Sequence, residues 1–392
     1  MVKCVLMGAI ETSDHHGSHR DLLWVSGSSL PWPARGQVDA IIVPTVRPLA
    51  YLAHAAQLAA QLACPLVTLH SGKWTSAREA ARRVPSEVSL IAIDMPGPAG
   101  LQMMDFETTR LTAGSVFARR TDTSAKRNLG LMLSHMVGWK RIIFLDDDIL
   151  VPDPADLSHA VGLLDIYNAV GLSIGGFPDN SVVCHAYRAV GGKQESFIGG
   201  GALAVEIGRN RSFFPEIYNE DWFYLLDPTG GLQPLAVTGR VIQGKYDPFR
   251  NEGRARREEF GDVLAEGIFW LLDQGGSLDQ ADLGHWRDFI GRRRRFIQHV
   301  LDLVNTATLD LGEQARMAAA LRAALGRLAL IEPDLCQKYL QSWLADRQGW
   351  EQHVRNLPSS IPPEAAVTAL FRAEAGPVNR VVRVRQGSAL AE

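Results

Sequence analysis

Between residues 38 and 148, strand-length apolar runs alternate with helix-length segments, and the last run, Arg141-Ile142-Ile143-Phe144-Leu145, ends on Asp146, Asp147 and Asp148. The first run, 38–45, stops near Pro44, which lacks a ladder N–H. A helix is expected over 48–63, strands at 65–69 and 88–93, helices near 76–84 and over 124–137, and a strand at 141–145. Strands alternating with helices imply parallel βαβ units with right-handed crossovers. The expected unit is a Rossmann-like half-domain that closes at the aspartates. Ligands of such sheets bind beyond the carboxyl ends of the strands. Three adjacent carboxylates there repel one another unless a cation intervenes, so a hard divalent metal and a phosphate-bearing substrate follow.

The 392 residues leave room for two domains, or for one large domain with an appendage. Composition is that of a globular chain, with 46% hydrophobic and 21% charged residues. A formal charge of −3 gives no overall field towards nucleic acid or an anionic membrane. Cys4, Cys64, Cys184 and Cys336 form no CxxC pair, which argues against a structural zinc site and against a disulfide framework. The N-terminal apolar stretch is too short for a secretory leader, and the alanine-rich window 51–69 carries His54, Gln57 and Gln61, so no integral membrane segment is expected. The expectation is a soluble, cytoplasmic protein.

Residues 1–37 hold one strand candidate, Cys4 to Met7, and a stretch with no readable pattern. Segment 97–122 is also poorly patterned. Beyond Asp148 shorter strands separated by Gly/Pro turns are expected, the clearest at 197–205, and helices resume after about 255. Trp286, Phe289, Ile290, Phe296, Ile297, Val300, Leu301 and Val304 recur at three- and four-residue steps, one buried helical face. Segments 308–330 and 334–354 look similar, and a short helix and a frayed end are expected after Pro363. Four regions result: an N-terminal extension 1–37, a nucleotide-binding half 38–148, an acceptor half 149–275 and a helical region 276–392.

Five blocks occur in order: strand-Pro44-Thr45-x-Arg47; Lys126-Arg127-Asn128 opening a helix; the strand with Asp146 to Asp148; Gly199-Gly200-Gly201-Ala202-Leu203-Ala204; and Asn219-Glu220-Asp221-Trp222. Over about residues 38–275 this order resembles the GT-A glycosyltransferases, particularly the family-2-like nucleotide-sugar transferases. The resemblance implies an α/β fold, a GT-A core with a mixed central sheet, here followed by a helical C-terminal segment. It implies transfer of a sugar from a nucleoside-diphosphate sugar to a small-molecule or glycan acceptor, assisted by Mg²⁺ or Mn²⁺. Asp148 takes the metal-ligand role by this resemblance, with Asp146 towards the ribose or the metal and Asp147 as an orienting neighbour. Asp221 takes the role of the base that removes the acceptor proton in an inverting reaction, with Glu220 as its alternate. Pro44, Thr45, Arg47, Lys126, Arg127, Gly200, Gly201 and Trp222 are placed around the donor.

A helix start favours phosphate through its free N–H groups and dipole, and Arg127 offers a forked guanidinium to a diphosphate. Apolar neighbours on both sides of Asp221 favour a raised pKa, as a base requires. Bland readings exist for each: a solvated basic helix start, a glycine turn, an acidic N-cap for a helix beginning at Trp222, a core tryptophan. The chain departs from the family pattern at 68–72, Thr-Leu-His-Ser-Gly, where an acid would read the base; Asp94 stands in as the substitute. No motif fixes a late metal-binding histidine, and His285 is the nearest candidate. The charge-dense stretch 246–262 and the run Arg292 to Arg295 read mainly as solvated, salt-bridged faces. The helical region is expected to shape the acceptor site or to form a homodimer contact. Rival readings are a retaining GT-A enzyme, a haloacid-dehalogenase-like phosphatase with Asp146 as nucleophile, a nucleotidyltransferase, and a sugar-binding protein without activity.

Overall fold

The computed structural model describes residues 12–25, 35–177, 181–195, 197–209, 211–227, 231–372 and 378–384. The expected strand at Cys4 to Met7 lies outside them. A two-residue strand β1 (Trp24–Val25) precedes β2 (Ala40–Thr45), a 3-10 turn Leu49–Leu52, α1 (Ala53–Gln61), β3 (Leu66–His70), α2 (Ala77–Arg83), β4 (Leu90–Asp94), α3 (Glu107–Thr112), α4 (Thr123–Val137) and β5 (Arg141–Leu145). The second half runs β6 (Ile149–Leu150), α5 (Ala155–Leu163), β7 (Ala169–Gly176), α6 (Val182–Ala189), β8 (Ala202–Glu206), α7 (Glu220–Tyr224), the small hairpin β9 (Leu226–Asp227) and β10 (Gly231–Leu232), and β11 (Leu235–Gln243). Four long helices follow, α8 (Gly253–Asp273), α9 (Leu283–Thr306), α10 (Leu311–Leu328) and α11 (Pro333–Arg355), then α12 (Pro363–Ala369) and β12 (Arg380–Arg383).

Among the described residues, one ten-stranded sheet takes the order β1-β11-β7-β8-β5-β2-β3-β4-β12, with β6 hydrogen-bonded to β11. Strands β2, β3, β4 and β5 are mutually parallel, whereas β8 is antiparallel to both β5 and β7. This is the α/β class with a mixed central sheet and a helical C-terminal segment. Residue 148 is therefore a change of strand order inside one sheet.

Side chains of β2 alternate as a pleat demands. Ile41 and Val43 pack with α1, α2 and α5, while Ala40 and Ile42 face α4 and the C-terminal helices. Both faces are covered, which is why these strands read as unbroken apolar runs. On α4, Gly130 lies against the sheet: a methyl group there would sit 3.0 Å from Ile42 Cδ1 and 3.2 Å from Phe144. That close approach sets the height of α4 over the strand ends. The aromatic faces of α9 and α11 are spent within the chain, with Trp286, Phe296, Trp343 and Trp350 buried in the same core as β2 and β5.

The chain departs from the sequence expectation at an interior strand and at one margin of the sheet. Residues 197–201 form a loop, so the strand expected at 197–205 begins only at Ala202; Phe197 and Ile198 are buried by side-chain packing, not by ladder pairing. Past Pro363 the chain returns as β12, antiparallel to β4 and anchored by Arg383, which donates to the carbonyls of Val84 (3.1 Å) and Pro85 (2.7 Å) at the end of α2. No helix among the described residues is long and apolar enough to cross a membrane.

Candidate functional site

The carboxyl end of β5 delivers the aspartates to a turn held from two sides: Asp146 N–H donates to Gly201 O (2.8 Å), and Gly244 N–H donates to Asp148 O (3.1 Å). Asp146 points one way, and Asp147 and Asp148 converge on one arginine. Asp146 turns to Arg127, whose Nη2 is 3.1 Å from Oδ1. Asp147 accepts from Thr45 Oγ1 (2.6 Å) and from the Arg47 guanidinium, which also reaches Asp148 at 2.9 Å. Arg47 thus neutralises two of the three carboxylates, and its side chain remains 40% exposed. Burial raises the Asp148 pKa; Arg47 opposes this, and Asp146 and Asp147 reinforce it.

Arg127, in the second turn of α4, which begins at Thr123 and not at Lys126, is buried and lies between Asp146 and Glu220, with Nη1 2.8 Å from Glu220 Oε1. Desolvation acts to discharge it, but the carboxylates of Asp146, Glu220 and Asp221 outweigh that and raise its pKa. Gly200 explains how so large a group fits: a methyl group at that position would lie 2.6 Å from the guanidinium carbon. At Gly201 it would lie 3.0 Å from Asp146 Oδ2. The glycines therefore make room for the charged pair.

Asp221 sits in the first turn of α7. The helix begins at Glu220, with Asn219 in the left-handed region (φ 63°) and no side-chain cap, so the acids are not caps of a helix starting at Trp222. Asp221 Oδ2 accepts the Gly200 N–H at 2.7 Å and Oδ1 accepts the Trp222 N–H at 3.0 Å. Burial, then the neighbouring Glu220 charge, push its pKa up to about 6 against the pull of Arg127 and the two N–H donors. Asp146, Arg127, Gly199, Gly201, Glu220, Asp221 and Trp222 all line one cavity of about 240 Å³.

The other expected residues lie elsewhere. Lys126 is buried and spends its ammonium on Thr45 O (2.9 Å), Ser71 Oγ (2.7 Å) and Asp122 (3.0 Å), tying together the loops after β2 and β3. Pro44 is a β2 residue in register with Leu69. Asp94 accepts from the Ala77 N–H (2.6 Å) at the start of α2 and from Asn379 Nδ2 (2.9 Å) next to β12. His285 stacks on Phe289 within α9, away from the aspartate triplet's partners, and burial lowers its pKa.

Several cavity residues carry no motif. Arg119, from the unpatterned 97–122 segment, lies 3.5 Å from Glu220 Oε2 with its guanidinium over Tyr218. Glu266 and Asp262 come from α8. The charge-dense stretches expected to be solvated are partly internal. Arg293 is buried and donates to Glu259 (2.9 Å) and to Asp262 (2.6 Å), and Asp262 accepts from Asn219 Nδ2 (3.0 Å). A run of four arginines gives no periodic signal for the one that turns inward.

No known family's sequence profile matches the chain, and no curated protein sequence does. Among solved structures it is similar to the mannosyltransferase PcManGT from Pyrobaculum calidifontis in complex with GDP-Man and Mn²⁺, at 15% identity, over 81% of this chain and 90% of that one, with a TM-score of 0.40. A likeness of that size transfers neither substrate nor residue roles.

Proposed function

We propose that the chain is a metal-assisted glycosyltransferase that moves a sugar from a nucleoside diphosphate to an acceptor hydroxyl with inversion. The observation that carries this reading is a partly buried carboxylate of raised pKa, Asp221, in the same cavity wall as Asp146 and the doubly paired Arg127. The all-carboxylate donor set of Asp146 and Asp148 suits a hard cation, Mg²⁺ or Mn²⁺. Positive charge is already favoured there, since Arg47 pairs with Asp147 and Asp148 through a side chain exposed enough to swing aside. Bound to these acids, the metal supplies charge neutralisation to the departing diphosphate.

The protein's own groups do the rest. Arg127, fixed by Asp146 and Glu220, presents a preorganised positive charge at the donor phosphates. Each Asp221 oxygen accepts one N–H and keeps a second lone pair, so the acceptor proton moves to Asp221. The acceptor oxygen then bonds the anomeric carbon while the bond from that carbon to the phosphate oxygen breaks. General-base help of this kind contributes about 10²–10⁴-fold. Thr45 and Arg47, held to Asp147, line the nucleoside side, and Lys126 holds that loop in place. Trp222 presents an apolar wall to the sugar.

Thermal shift with UDP, GDP, dTDP, CDP and ADP, with and without Mn²⁺, tests the donor site on wild type and Asp148→Asn. The expected result is a metal-dependent rise selective for one base and lost in the variant. No shift with any nucleotide, beside metal-dependent hydrolysis of a phosphate ester, would replace this reading by the phosphatase. Asp221→Asn is expected to keep nucleotide-sugar affinity while turnover falls by about 10²–10⁴-fold. NMR of the product showing retained anomeric configuration would remove the base role.

A further inference from the structure

The N-terminal segment crosses α8 and α9, and two of its histidines, His16 and His19, converge on the last residue of α8, Asp273. One ring nitrogen from His16, one from His19 and a carboxylate oxygen of Asp273 lie within 4.8 Å of one another. His16 Nδ1 is 3.4 Å from Asp273 Oδ2. That is the spacing of two ligands in a tetrahedron with ~2.1 Å bonds, about 3.4 Å. The other nitrogen of His19, Nε2, is 3.1 Å from Glu266 Oε2. A carboxylate behind an imidazole is the arrangement that fixes the tautomer and orientation of a metal-bound histidine.

We propose that His16, His19 and Asp273 form a binding site for a borderline divalent transition metal of the zinc type, with Glu266 orienting His19. Two imidazoles and one carboxylate suit Zn²⁺ and not Mg²⁺ or Ca²⁺, which take oxygen ligands. Rigid walls hold the rings: Trp270 stands edge-on to His16 at 5.4 Å, and Trp222 and Phe269 pack on His19 at 5.3 and 5.5 Å. The side chains of His19 and Asp273 are 4% and 5% exposed, whereas that of His16 is 40% exposed, so the fourth position faces solvent and an ion has a way in. His19 Nδ1 shares a hydrogen bond with Asp273, and His16 Nδ1 is 3.0 Å from the Ser18 carbonyl. Ligation replaces both bonds, releases protons to solvent and widens the approach of His19 to Asp273. The ion fastens the N-terminal segment to α8 and, through His19 on Trp222, stiffens the wall next to Asp221. The site uses no cysteine, so the absence of a CxxC pair does not bear on it.

The test is a zinc titration of the full chain, stripped of metal, against a chromophoric chelator, for wild type, His16→Ala, Asp273→Asn and Asp148→Asn. Wild type and Asp148→Asn are expected to take one tightly held Zn²⁺. His16→Ala and Asp273→Asn should bind it more weakly by about tenfold or more. His16 is half in solvent, so its variant keeps the fold, which circular dichroism checks. Wild type that cannot compete with the chelator overturns the site. Zinc binding that survives both His16→Ala and Asp273→Asn, or that vanishes only in Asp148→Asn, does the same.

Discussion

Arg127, Gly200 and Asp221 form a single unit in which each residue dictates the chemistry of the next. Arg127 fits because Gly200 has no side chain, and the Gly200 N–H in turn fixes Asp221 at 2.7 Å. Gly200→Ala, which would press on a guanidinium already held from both sides, is expected to cut kcat by about 10²-fold, the scale of a 1 Å displacement. Steady-state kinetics on the folded variant checks this; unchanged kcat would mean that Arg127 adjusts freely. The groups facing Asp221 are Glu220 and Arg127, with the backbone N–H groups of Gly200 and Trp222. A base works ionised, so activity should rise with pH through about 6. Glu220→Gln removes the like charge and frees Arg127, which lowers the Asp221 pKa and moves this acid limb to lower pH. A kcat profile whose acid limb stays in place in Glu220→Gln would remove the coupling.

Helices α8 and α9 are joined by a buried ionic cluster as well as by apolar packing. Arg293 of α9 meets Glu259 and Asp262 of α8, and burial pushes the Glu259 pKa up to about 7 against the pull of that arginine. Arg293→Met leaves two carboxylates without their cation and is expected to cost about 3–5 kcal/mol in urea unfolding. Adding Glu259→Gln and Asp262→Asn should restore part of that loss; no restoration would mean that the arginine acts through packing alone. Because Asp262 also accepts from Asn219, the cluster reaches the turn before Glu220 and Asp221. None of this is readable in the sequence. Charges of alternating sign on a helix look the same whether they face water or a second helix, and only the facing element tells them apart. The aspartates after β5 are readable for the opposite reason, since their neighbours supply an apolar strand and the acids stand out against it. His16 and His19 carry a visible spacing, but in a segment without periodicity, and their partner Asp273 belongs to a distant helix that looks ordinary.

At the scale of the molecule, the sheet that holds the site is bordered at both margins by short strands from outside the alternating region: β1 pairs with β11 and β12 pairs with β4. The central strands are legible because burial on both faces makes them apolar runs. The margins are not, since Trp24–Val25 is too short, and Arg380–Arg383, with an arginine at each end, is too short and too charged, to show a pattern. Removing residues 378–392 is expected to lower Tm by about 1 °C for each kcal/mol that the edge pairing contributes, and to speed amide exchange in β4 above that in β2. Equal exchange in the two strands would show that β12 adds nothing. The order of synthesis follows from the same topology. While the chain is still emerging from the ribosome, β4 stands as an open edge able to pair with a neighbouring nascent copy, and β12, which seals it, follows all the other strands and the long helices, so the hazard of misassembly lasts through the synthesis of everything between them.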